Sequence, residues 1–277
     1  MQITGEDFWV ARQGSGPALV MLHGGPGGYD QFDALASMLE PWCDVIRYDQ
    51  RGCGRTRAKP RYDLVSALQD LESLRAACQV SSWCVLGHSF GCDLALLYAV
   101  AFPQRVTGLI LIANYNAFGD ERAIYVARRD ARLGEQLQRY RELGAQLANR
   151  WDPQQARELS RLQARIDLDP RSPAELMPVY EFPINFDANR ILAAEAKAEL
   201  AKPAMRSAVA ELAVPALVLH GQGDARPGSA GLSWCRERAC RQGVMLEGAG
   251  HWPWLEQPAV AAAALATWIT QQRSGAP

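Results

Sequence analysis

Trp83-Cys84-Val85-Leu86-Gly87-His88-Ser89-Phe90-Gly91 decides how this chain is read. The apolar run from Trp83 to Leu86 suits a short buried strand, and Leu94-Ala95-Leu96-Leu97-Tyr98-Ala99 continues as a helix. Between them stands a Gly-x-Ser-x-Gly turn. A serine held between a strand and a helix in this way sits on a strained turn at positive φ, with its hydroxyl above the sheet. Glycines at 87 and 91 are expected on steric grounds, because strand and helix approach closely there. The helix N-terminus also offers free N–H groups and a partial positive charge to a developing oxyanion. Alone the pattern arises by chance; its setting between a strand and a helix gives it weight.

Upstream, residues 8–12 alternate weakly as an early strand, and Ala18 to Leu22 is a continuous apolar run that suits a strand covered on both faces. That run leads into His23-Gly24-Gly25-Pro26-Gly27-Gly28, where backbone N–H groups can approach a ligand without side chains intervening. A helix over 31–39 and a strand over 44–48 follow, then the glycine-punctuated loop Asp49-Gln50-Arg51-Gly52-Cys53-Gly54-Arg55. Helical spacing over 64–78 and a buried strand over 106–112 complete an alternation that indicates a parallel sheet with helices on both faces.

The alternation stops near Asn114. Helical patterns over 122–147, 153–166 and 187–200 dominate to about residue 210, broken by Pro170, Pro173, Pro178 and Pro183. The expectation is an α/β core of residues 1–114 and 211–277 with a helical cap of 115–210 inserted over the carboxyl ends of the strands, where open α/β sheets bind ligands. Strands over 214–220 and 244–246, a helix over 232–241 and a last helix over 258–271 close the core.

Composition narrows the classes of function. The formal net charge of -1 gives no electrostatic case for nucleic acid or a membrane surface. No apolar run reaches bilayer length, and the first residues lack a basic region followed by an apolar core. The seven cysteines are scattered without Cys-x-x-Cys spacing, which reads as reduced thiols of a cytoplasmic protein. Neither metal-ligand spacing nor a phosphate-cradling glycine pattern is present, so no cofactor is expected.

The chain resembles the α/β-hydrolase superfamily over essentially its full length, with serine, acid and histidine motifs in the superfamily's order. Within it, His23-Gly24-Gly25-Pro26-Gly27 together with Tyr48-Asp49-Gln50-Arg51-Gly52-Cys53-Gly54-Arg55 resembles the proline iminopeptidase group. The resemblance implies a Ser-His-Asp triad. Ser89 is the expected nucleophile, and a serine hydroxyl needs a base to take its proton. Of four histidines, His251 in Gly248-Ala249-Gly250-His251 is the expected base. His23 is assigned to the glycine loop, His88 points away across the turn, and His220 ends a strand. The orienting acid follows either of two strands in related hydrolases. The first offers Asn114 with no carboxylate before Asp120; the second offers Asp224, which is chosen. Asp49 reads instead as a structural residue, holding its own loop through backbone N–H groups and Arg51. The oxyanion donors are expected at Phe90 and Gly25, with Gly24 next in line.

In iminopeptidases the first cap glutamate that binds a free amine lies about ninety residues beyond the nucleophile. The resemblance therefore points to Glu181, with Glu175, Asp187 and Glu195 as possible second carboxylates. The expected substrate is a small molecule or short peptide. Three functions follow from these residues: an aminopeptidase-like amidase, an esterase, lactonase or thioesterase on an uncharged acyl group, and a silent hydrolase fold used as a receptor or scaffold. Oligomeric state is left open.

Overall fold

The structure, a computed structural model, describes residues 1–3, 5–114 and 121–274. Nine strands are present among these: β1 (Gln2–Ile3), β2 (Glu6–Asp7), β3 (Val10–Gly14), β4 (Ala18–Leu22), β5 (Asp44–Tyr48), β6 (Trp83–His88), β7 (Val106–Ile112), β8 (Ala216–Gly221) and β9 (Arg241–Leu246). β1 and β2 form a small antiparallel ribbon. The other seven make one sheet in the order β3-β5-β4-β6-β7-β8-β9, antiparallel only between β3 and β5. This is the mostly parallel, doubly wound sheet of an α/β-hydrolase fold.

Side-chain alternation along the strands divides the core into two layers. Val20, Leu22, Ile46, Tyr48, Val85, Leu109 and Leu111 face α2 (Leu64–Ala77) and α3 (Phe90–Ala101). Leu19, Met21, Val45, Leu86, Ile110 and Ile112 face α1 (Asp33–Leu39) and the C-terminal helix (Pro258–Ser274), whose Leu265 and Trp268 fill that side. Because β4, β6, β7 and β8 are covered on both faces, their sequences read as unbroken apolar runs rather than alternating ones.

The stretch between β7 and β8 carries α4 (Arg122–Leu133), α5 (Leu137–Asn149), α6 (Pro153–Asp167), α7 (Phe186–Ala201) and α8 (Pro203–Glu211). These helices serve two cores. Leu133, Leu143, Leu147, Leu159, Leu162 and Ile166 of α4–α6 form a separate cluster that reaches Ala225. Ala188, Leu192, Ala196, Leu200 and Val209 of α7 and α8 instead join the layer occupied by α2 and α3. The single helix expected over 122–147 is two helices, parted at Gly134, whose φ of 52° ends α4. α8, opened by Pro203 at its first turn, was not anticipated.

After β8, the helix expected over 232–241 is α9 (Ser229–Arg236), and the last strand begins at Arg241 rather than 244. The cause is Arg241, a buried charged residue that polarity alone places outside. Its guanidinium lies 3.7 Å from the Trp234 ring centroid and donates to the carbonyls of Trp234, Ala210 and Leu212. α10 (Pro253–Glu256) and α11 (Pro258–Ser274) complete the chain. Asp120 lies outside the described residues.

Candidate active site

Ser89 caps α3 with φ 56° and ψ -120°, the strained elbow that the sequence implies. Its N–H donates to the Ile112 carbonyl at 2.9 Å, which fastens the turn to β7. Both flanking glycines are required by contact. A Cβ at Gly87 would collide with the backbone of Gly91, and one at Gly91 with the Leu22 carbonyl. Gly24 packs on the serine itself, where an added Cβ would lie 2.9 Å from the Ser89 Cβ. The Phe90, Gly24 and Gly25 N–H groups make no hydrogen bond among the described residues.

His251 and Asp224 meet each other beyond β7, and the His251 ring lies against that of His88, the residue before Ser89. The acid follows β8, and the histidine follows β9 in a loop whose Gly250 would clash with the Asp167 carbonyl if it bore a Cβ. His251 Nδ1 meets Asp224 Oδ2 at 2.6 Å, both side chains buried. With Nδ1 engaged there, Nε2 is the ring atom left for a second partner. Neither it nor the Ser89 Oγ makes a hydrogen bond among the described residues. Burial opposes ionisation of Asp224, but the charge and N–H of His251, then Arg226 and His220, outweigh it. The carboxyl is held well below the usual carboxylate range.

The remaining histidines have structural work. His23 Nε2 accepts the Gln50 N–H at 3.0 Å, and Gln50 Nε2 donates to the His23 carbonyl at 2.9 Å. An accepting Nε2 puts the ring proton on Nδ1, which donates to the Gly24 carbonyl at 3.0 Å. Burial lowers its pKa and keeps the ring neutral. His88 lies under His251, ring centroids 4.7 Å apart, with Trp252 and Trp254 each at 4.8 Å. Its Nε2 meets the His251 carbonyl at 2.9 Å, and burial, then His251, lowers its pKa well below the ordinary value. His220 Nε2 bonds the Arg226 carbonyl.

Asp49 does hold its own loop, but through Arg55 and not Arg51. Arg55 reaches it through Nε at 2.7 Å and Nη2 at 2.9 Å, whereas Arg51 makes a two-pronged pair with Asp70 of α2. Glu181 is exposed, and its side chain makes no hydrogen bond or ion pair among the described residues. Its N–H donates to the Tyr29 hydroxyl at 2.7 Å. Glu195, one of the possible second carboxylates, accepts the Leu64 N–H at 2.7 Å and so caps α2. Sequence reasoning missed Arg226 and Asp167, which meet Asp224 and His251 from below; the signal was an arginine two residues beyond the acid. Among the described residues no cluster of three or more His, Cys, Asp or Glu side chains is arranged to hold a metal. The seven cysteines are free thiols, and no described helix is long and apolar enough to cross a membrane.

The chain is similar to known proteins in sequence and in fold. A putative proline iminopeptidase of Mycoplasma pneumoniae is 37% identical over 114 residues, 39% of this chain and 36% of that protein. The proline iminopeptidase of Saccharolobus solfataricus is 35% identical over 145 residues, 48% of this chain and 45% of that protein. The alignments thus span less than half of these relatives' length. Among solved structures, a thermophilic esterase from Thermogutta terrifontis superposes with a TM-score of 0.71 at 23% identity, covering 96% of this chain and 93% of that one. A meta-cleavage product hydrolase from Pseudomonas fluorescens IP01 gives 0.67 at 18% identity, covering 98% and 96%. At these identities the structures speak for the fold alone. Residues 17–258 match the family model described as alpha/beta hydrolase fold, nearly all of the sheet and the inserted helices. The chain belongs to the α/β-hydrolase fold family and resembles the proline iminopeptidases within it.

Proposed function

We propose that this hydrolase works through an acyl-enzyme, with Ser89 as nucleophile, His251 as base and Asp224 as the orienting acid. Ser89 attacks the acyl carbon while His251 takes its proton; the imidazolium then returns that proton to the leaving group. Water repeats the sequence to release the acyl group. Phe90 and Gly25 donate to the tetrahedral oxygen, with Gly24 beside them. The observation that carries this reading is the buried 2.6 Å contact from His251 Nδ1 to Asp224 Oδ2 beside a serine at φ 56°.

For substrate, the reading is an aminopeptidase or amidase of the iminopeptidase kind, releasing a small N-terminal aminoacyl group. It is supported by the two glycine-loop motifs and by the partial identity to proline iminopeptidases. Glu181 is the carboxylate proposed to meet the free amine. A second reading, hydrolysis of uncharged esters, lactones or thioesters, is favoured because two carboxylates of the inserted segment are already neutralised and so not left for an amine. Asp167 is paired with Arg226, and Asp169 with Arg171. A panel of free-amine and acetyl-blocked anilides and esters separates the two: loss of turnover on acetylation supports the first, and indifference to it supports the second. A fluorophosphonate probe should label Ser89 and leave Ser89→Ala unlabelled, the variant retaining only a residual rate enhancement of roughly 10³–10⁴ over water. Labelling of Ser89→Ala would overturn the nucleophile.

A further inference from the structure

Asp224 has two carboxylate oxygens, and only one faces the imidazole. Oδ1 accepts the Arg226 N–H at 2.8 Å and lies 3.4 Å from Arg226 Nη1. The same Nη1 donates to Asp167 Oδ1 at 2.7 Å. Arg226 is thus a cation, its side chain 13% exposed, shared between an acid of the β8 loop and the last residue of α6. Asp167 makes a second contact with the opposite loop, for its carbonyl accepts the His251 N–H at 2.6 Å. One residue of the inserted helices therefore holds the acid's cation with its side chain and the histidine's backbone with its carbonyl. α4 fastens the same place. Arg132 donates to the Ile166, Leu168 and Gly223 carbonyls, and the Arg226 guanidinium lies 4.7 Å from the Tyr125 ring centroid.

A buried ion pair is a poor way to gain stability, because desolvating both charges offsets most of their attraction. Its position beside Asp224 gives it another use. We propose that Arg226 and Asp167 are positioning residues that join the inserted helices to the acid–histidine pair. Arg226 fixes the second oxygen of Asp224 and balances the charge the imidazole meets; Asp167 holds Arg226 and the His251 backbone in one register. The proposal rests on the triad reading given above.

Other groups around His251 act more weakly on this balance, with Arg132 of α4 a half-buried cation that also feels Asp224 and Asp167. His88 from β6 and His220 from β8 are both kept neutral by burial. Arg132 and Arg128 of α4 face the Asp224 loop through backbone carbonyls. Asp169 is paired with Arg171, and the Glu256 carboxylate takes the Gly250 and Asp169 N–H groups, each at 2.7 Å. Tyr125 is kept protonated, its pKa raised by burial.

The test reads the rate of Ser89 labelling by a fluorophosphonate against pH, which needs a neutral imidazole and no knowledge of the natural substrate. In Arg226→Met the imidazole faces two carboxylates that have lost their closest cation, so its charged form is favoured and the acid limb moves to higher pH by about one unit. In Asp167→Asn an anion is lost while the cation stays, and the limb moves to lower pH. Arg226→Lys keeps the charge but not the fork, so its limb stays in place while the maximal rate falls. A purely structural role would lower thermal stability without moving the two limbs in opposite directions. Limbs that stay put, or move together, overturn the proposal; if Arg226→Met does not fold, Asp167→Asn decides by whether its limb moves to lower pH, and Arg226→Lys by whether its maximal rate falls with the limb in place. A wild-type protein that is not labelled at all overturns the triad reading and this inference with it, whereas labelling with unmoved limbs overturns the inference alone.

Discussion

Asp49 and Asp224 occupy equivalent places and have different employment. Each follows a parallel strand of the sheet, β5 or β8, and each side chain is fully buried. Asp49 accepts the N–H groups of Asp30 and Arg55 and both prongs of the Arg55 guanidinium, while its carbonyl takes the Thr56 hydroxyl. Asp224 gives one oxygen to Arg226 and the other to His251. Burial and charge do not tell the two apart. What does is whether a partner can change its protonation near neutral pH: arginine cannot, and histidine can. A carboxylate satisfied by arginine and amides closes a loop, whereas one left facing an imidazole is available to chemistry.

The sharpest way to break this comparison is to neutralise each acid without changing its shape. Asp224→Asn should lower turnover on the order of 10⁴-fold, because the imidazole loses its tautomer and its counter-charge. Steady-state rates on any ester the enzyme accepts would measure it; turnover that survived would give the orienting role to another residue. The next effect lies on the Asp49 side. Asp30, whose N–H serves Asp49, has its carboxyl pushed up to about 7, first by burial, with Arg47 opposing and Asp49 reinforcing. Its folded value exceeds its unfolded one, so its contribution to stability is present below about pH 4 and is lost as pH rises through 7. Asp30→Asn should therefore flatten the fall of the unfolding free energy between those pH values, by at most about 4 kcal/mol at 1.36 kcal/mol per unit. The acid limb of the labelling rate should not move. Asp49→Asn is the smallest of the three: a loss of about 1–3 kcal/mol in urea unfolding for the weakened charged hydrogen bonds, with turnover at 25 °C nearly unchanged. A large loss of turnover with intact stability would reverse the two aspartates.

Local requirements were the legible part of this chain. Gly87 is forced by atoms four and five residues ahead and Gly91 by the end of β4, and continuous apolar runs announce strands with two covered faces. The expected serine, acid and histidine are read from motifs that follow β6, β8 and β9. The support beneath them cannot be read in this way. Asp167 lies 59 residues from Arg226, and no periodicity links an arginine to a carboxylate at that distance. Arg51 and Arg55, four residues apart on a glycine-punctuated loop, are interchangeable in sequence, and only the position of α2 sends Arg51 to Asp70. Glu195 reads as a charged helix face until the fold brings Leu64 to it.

The reciprocal bonds between His23 and Gln50 have a consequence for how this sequence can change. Each residue satisfies the other, ring nitrogen to backbone N–H and side-chain amide to carbonyl, so the two glycine loops are one unit of inheritance although 27 residues separate the pair. Replacing His23 by a residue that cannot accept at that distance strands a buried amide in the other loop. Replacing Gln50 strands a carbonyl in the first. Grafting either loop alone into a related scaffold would carry half of a device; grafting both together should carry it whole.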